Sequence, residues 1–111
     1  MIDWKRVREL SDEIGVEDFD EVVELFLQEM ESALADLRSA HTPPEALEDQ
    51  LHFLKGSALN LGFSAVAQLC QAGETAAADG RAASVDLGEI AQTYDESRLE
   101  FLSDLQDYLA A

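Results

Sequence analysis

The 111-residue chain is expected to fold as an all-α protein, an antiparallel up-down four-helix bundle with an additional short N-terminal helix. Three observations carry that expectation. Apolar residues recur at three- and four-residue spacing along most of the length, the mark of helices that bury one stripe. No run shows sustained two-residue alternation, and none is rich in β-branched residues. The breaks between periodic segments are short, which makes consecutive long helices antiparallel neighbours.

Taken in order, Ile2, Val7, Leu10 and Ile14 outline a short first helix, and Gly15 suits its C-terminal stop. The second is expected from about Glu17 to Ala40, with Phe19, Val22, Val23, Phe26, Met30, Ala33, Leu34 and Leu37 on its apolar side. Thr42-Pro43-Pro44-Glu45 announces a third: Thr42 as N-cap, Pro43 in the first helical position and Glu45 completing a capping box. It should run to Leu61 and stop at Gly62. Ser64 is the expected N-cap of a fourth helix ending near Gly80. Ser84 is the expected cap of a fifth, whose buried side is marked by Leu87, Ile90, Tyr94, Phe101, Leu102, Leu105 and Leu109. The length suits one domain, 1–111, with a single core.

Composition narrows the function. Twenty-four acidic residues against seven basic ones give a formal net charge of -17. Such a surface repels nucleic acid and anionic membranes, so the expected partner is a protein with a neutral or basic docking face. Most of the carboxylates are expected simply to solvate outward helix faces. No apolar stretch approaches the ~20 residues of a membrane span, and no signal peptide is evident. One cysteine, Cys70, excludes an internal disulfide and fits a reducing cytoplasm. One cysteine and two separated histidines do not make a zinc site, and there is neither a Gly-rich phosphate loop nor a G-x-S-x-G elbow.

The stretch that carries chemistry is His52-Phe53-Leu54-Lys55-Gly56-Ser57-Ala58. Leu47, Leu51, Leu54, Ala58 and Leu61 form an inward seam spaced four, three, four and three, and His52 projects roughly 140° from its centre at about 100° per residue. His52 is therefore a surface residue, with Lys55 and Gly56 as its i+3 and i+4 neighbours and Leu59 one turn further. A glycine inside a helix costs about 1 kcal/mol relative to alanine, so Gly56 has a reason to be there. Access to His52 is the reason proposed. Leu59, and Phe63 beyond the helix end, are expected to continue an apolar docking patch.

Neutral imidazole is a good nucleophile near neutral pH, and attack on a phosphoryl group would give a phosphoramidate. Lys55 would offset the added charge, and Gly56 would remove the side chain that crowds the incoming group. Glu48 and Asp49, one turn earlier, are candidates to accept a ring N–H; the plainer reading is that they are solvated carboxylates early in a helix. Ser57 points elsewhere and reads as a packing or backbone-bonding residue. His41, beside Thr42-Pro43, reads as a loop residue. Trp4 reads as a packing residue of the first helix.

The run from His52 to Phe63 resembles the signature of histidine-containing phosphotransfer (HPt) domains: His, any residue, an apolar residue, Lys, Gly, two small residues, two variable positions, an apolar residue and Gly. All the fixed positions are met. Leu69-Cys70-Gln71-Ala72-Gly73-Glu74 resembles the family's next-helix segment, departing from it at Gly73, where a larger apolar residue is usual. The resemblance implies that His52 accepts a phosphoryl group from the aspartate of a receiver domain and passes it to another. It implies Lys55 as the charge-stabilising residue, Gly56 as the access residue, and Leu59 and Phe63 in the docking face. Mg²⁺ would belong to the receiver partner, so the chain is expected to need no cofactor or metal of its own.

The expected protein is thus a freestanding, monomeric cytoplasmic phosphocarrier in a multistep two-component phosphorelay. It would not be an enzyme with its own ATP site. Its partners would be receiver domains of response regulators or hybrid kinases. Two alternatives remain at this stage: a docking-only adaptor of the same fold with His52 unphosphorylated, and an acidic decoy for a nucleic-acid-binding protein.

Overall fold

The computed structural model describes residues 1–39 and 43–110. It contains five α-helices, α1 (Trp4–Ile14), α2 (Val16–Leu37), α3 (Pro44–Leu61), α4 (Ser64–Ala78) and α5 (Leu87–Ala110), plus a short 3-10 turn at Ala82–Ser84, and no strand among the described residues. The all-α bundle expected from periodicity is the architecture found. Among the described residues no helix is long and apolar enough to cross a membrane.

The inward seam of α3 is its buried side: Leu51, Leu54, Ala58 and Leu61 are fully buried and Leu47 nearly so. They meet Phe19, Val23, Met30 and Leu37 of α2, Val66 and Cys70 of α4, and Ile90, Tyr94 and Phe101 of α5 in one core. The Tyr94 hydroxyl donates to the Glu31 carboxylate (2.8 Å), with the Leu27 carbonyl also in reach at 3.2 Å, and so ties α5 to α2. Burial, with that carboxylate against it, pushes the phenol pKa up.

The tight turn between α3 and α4 is made by Gly62, whose φ of +84° lies in the left-handed region. The amide of Asp3 donates to the Gly62 carbonyl (2.7 Å), and a Cβ on Gly62 would sit 2.7 Å from the Asp3 carbonyl oxygen. That close approach lets the chain before α1 lie on the end of the α3–α4 hairpin. Trp4 packs as its position implied, stacked on Tyr108 with ring centroids 4.1 Å apart and further from Phe101 at 5.8 Å.

Several local expectations are corrected. Pro43 is extended (φ -71°, ψ 158°) and caps α3 from outside, so Pro44 takes the first helical position. Helix α2 stops at Leu37 with Arg38 as its C-cap, short of the expected end near Ala40, while Ala40, His41 and Thr42 lie outside the described residues. Ser64 is the first residue inside α4; its hydroxyl donates to the Met1 carbonyl at 3.1 Å. Ser84 belongs to the 3-10 turn, and Asp86 caps α5 by accepting from the Glu89 amide at 2.9 Å. Leu102 is exposed, because the core side of α5 passes through Phe101 and Leu105. Gly73 is buried, and a Cβ there would come within 2.8 Å of a Leu51 methyl, so at this crossing α4 lies too close to α3 for the larger residue usual in the family.

Candidate functional site

His52 stands at mid-length on α3 with its side chain 71% exposed, opposite the buried seam. Its ring reaches across to α4, where Nδ1 lies 2.7 Å from Glu74 Oε1. The other oxygen of the same carboxylate, Oε2, lies 2.7 Å from Lys55 Nζ. Lys55 also donates to Gln71 Oε1 at 2.9 Å, and the Gln71 amide donates to the Thr75 hydroxyl at 3.3 Å. One carboxylate, 13% exposed, therefore holds both the imidazole and the ammonium.

Burial pushes the Glu74 carboxyl up, but the Lys55 ammonium and the His52 ring against it outweigh that effect and hold its pKa below the ordinary value. Glu74 is thus ionised near neutral pH and is an acceptor only. The proton in the His52–Glu74 contact must then be on Nδ1, which leaves the lone pair of a neutral ring on Nε2. Gly56, one turn after His52, has nothing within 4 Å of where a Cβ would be: the space is open.

A family model for the Hpt domain matches residues 21–111, most of the chain. The chain belongs to the Hpt domain family. Neither a search of curated proteins nor a search of solved structures returned a match.

In this Hpt domain His52, Lys55 and Gly56 share one face of α3, and Leu59, 52% exposed, lies along it. Phe63 does not: it is fully buried, with its ring 5.4 Å from Phe101 and 6.0 Å from Tyr94. The left-handed turn at Gly62 ends the helix whose face Phe63 was expected to extend and directs the side chain into the core. Phe63 is therefore no part of a docking surface. The exposed aromatic beside His52 is Phe53.

Glu48 and Asp49 do not take the ring N–H; Glu74 does, from the next helix. Glu74 and Gln71 were missed as partners of His52 and Lys55. The only sequence signal was their place three residues apart, on one side of the α4 segment already matched to the family. Cys70, one turn before Glu74, is fully buried. Its thiol pKa is pushed up to about 12, chiefly by burial, with Glu74 adding and Lys55 opposing, so it stays a protonated packing residue. Among the described residues no three His, Cys, Asp or Glu side chains cluster as a metal site.

Proposed function

We propose that this chain, as a member of a family of phosphocarrier modules that interact with receiver domains, relays a phosphoryl group between receiver-domain aspartates, with His52 as the residue that carries it. The observation that supports this most is the His52–Glu74 contact. It fixes the proton on Nδ1 and presents Nε2 to solvent on an uncrowded helix face.

In the forward step Nε2 attacks the phosphorus of an aspartyl phosphate. The N–P bond forms as the P–O bond to the aspartyl carboxyl breaks, and the aspartate leaves as a carboxylate. The Nδ1 proton stays on the ring, and the positive charge that develops there faces the Glu74 carboxylate at 2.7 Å. Lys55, held on the other oxygen of Glu74, sits one turn along the same face and offsets the charge of the new phosphoryl group. Gly56 leaves room for the carrier to approach, and Leu59 supplies apolar contact. In the onward step the aspartate carboxylate of a second receiver attacks the phosphorus, the N–P bond breaks, and neutral imidazole leaves with its proton still on Nδ1. Mg²⁺ chemistry, where the transfer uses it, belongs to the receiver, and the setting of such a relay is the cytoplasm.

The test is transfer from a panel of phosphorylated receiver domains to the wild type and to His52→Gln. Acid-labile, alkali-stable label on the wild type alone is the expected result. Binding without label from any receiver would overturn the relay and leave a docking-only adaptor.

A further inference from the structure

A groove of about 360 Å³ runs between α2 and α3 beside His52. Glu29, Asp36 and Asp49 wall it, buried Ala33 lies at its base, and Gln50 and Phe53 flank it. Asp49 is one turn before His52 and Phe53 is the next residue, so the groove adjoins the part of α3 that a partner at His52 approaches. Among the described residues no basic side chain lines it.

Three features specify what would fill it. Phe53 is 53% exposed and offers an aromatic face to the groove. Glu29 and Asp49 are exposed carboxylates that take part in no ion pair among the described residues. Gln50 Oε1 is a buried acceptor without a hydrogen-bond partner among the described residues. An apolar side chain would leave that acceptor orphaned and strip water from the carboxylates. A lysine would bring a point charge with three donors. A guanidinium is flat enough to stack on Phe53 and has five donors in a fork, enough for both carboxylates and the amide oxygen.

We infer that this groove is a specificity pocket for an arginine side chain of the receiver domain that docks over His52. The inference rests on the relay reading for its partner, and it adds a selection rule: receivers with arginine at the matching position are chosen over those with lysine or a neutral residue.

The test is binding of the receiver that transfers best to the wild type and to two doubly neutralised variants. Glu29→Gln with Asp49→Asn removes the groove charges; Asp12→Asn with Asp107→Asn makes the same charge change on other helices. The groove variant should bind about tenfold more weakly and the remote one within about twofold. Changing the receiver's arginine to lysine should cost a similar factor and add little to the groove variant. Equal losses in both variants would overturn the pocket in favour of long-range attraction alone.

A second measurement needs no receiver: titration of the full chain with N-acetylarginine amide, followed by amide NMR shifts. Saturable shifts at Asp49, Gln50 and Phe53, weaker with the lysine analogue, support the pocket. Shifts spread over all the acidic faces overturn it. Failure of every receiver to transfer would sink the relay, while the titration still decides the groove by itself.

Discussion

Substituting alanine for Gly56 should stabilise the fold and slow phosphoryl transfer, and both effects follow from the open space above that residue. Nothing lies within 4 Å of the position a Cβ would take, so no overpacking offsets the helix-propensity gain of about 1 kcal/mol. With an unfolding entropy of about 2.1 cal/mol/K per residue, the 111 residues give roughly 0.23 kcal/mol/K, and Tm should rise by about 4 °C. Transfer responds in the opposite direction. A misplacement of about 1 Å can cost on the order of a hundredfold in rate, so a methyl group between His52 and the incoming aspartyl phosphate should slow transfer by about tenfold or more. Gly56→Leu should slow it further. Thermal unfolding by circular dichroism and single-turnover transfer from one receiver read the two effects separately. A lower Tm for Gly56→Ala would show that the glycine serves internal packing. A higher Tm with undiminished transfer in both variants would refute the access role.

Two further predictions concern titration. Glu74 has a lowered pKa in the fold, so the stability it contributes is fully present above the ordinary carboxylate pKa of about 4.3 and is lost as pH falls through the lower folded value. Urea unfolding should find Glu74→Gln less stable than wild type at pH 7, with the gap closing toward pH 3; a gap that does not change with pH would refute this. The comparison with the variant matters, because acidification also relieves the self-repulsion of a chain with net charge -17. Cys70, with its thiol raised to about 12, should react with a thiol reagent at pH 8 only as fast as the fold opens, and labelling of the native protein at the rate of a free thiol would contradict its burial.

What the sequence disclosed depended on how local each feature is. The seam from Leu47 to Leu61, the outward direction of His52 and the stop at Gly62 follow from one helix's geometry, and all three were legible. Glu74 was not, because the contact spans 22 residues and depends on how α4 packs against α3. Phe63 was misplaced by continuing a helical face past a residue at positive φ, where the chain changes direction. Phe53 escaped notice since an aromatic one residue from the seam is as readily half-buried as exposed. Ser64 and Ser84 have the chemistry of N-caps, but position decides: Asp86 stands where its carboxylate meets the Glu89 amide. Gly73, the one departure from the family pattern, is explained by the Leu51 methyl that would occupy the space of its Cβ.

The sharing of Glu74 between the Lys55 ammonium and the His52 ring has a consequence for the chain's electrostatics. A protein of net charge -17 should be a poor landing place for an acyl phosphate, which is itself an anion. Yet the carboxylate that contacts the His52 ring is itself held by Lys55, so this pair adds no net charge beside the ring. When the ring gains charge during transfer, that same carboxylate faces it without any side chain having to move in. The acidity of the surface can then serve to choose the partner while the carboxylate against the reacting ring stays matched by Lys55.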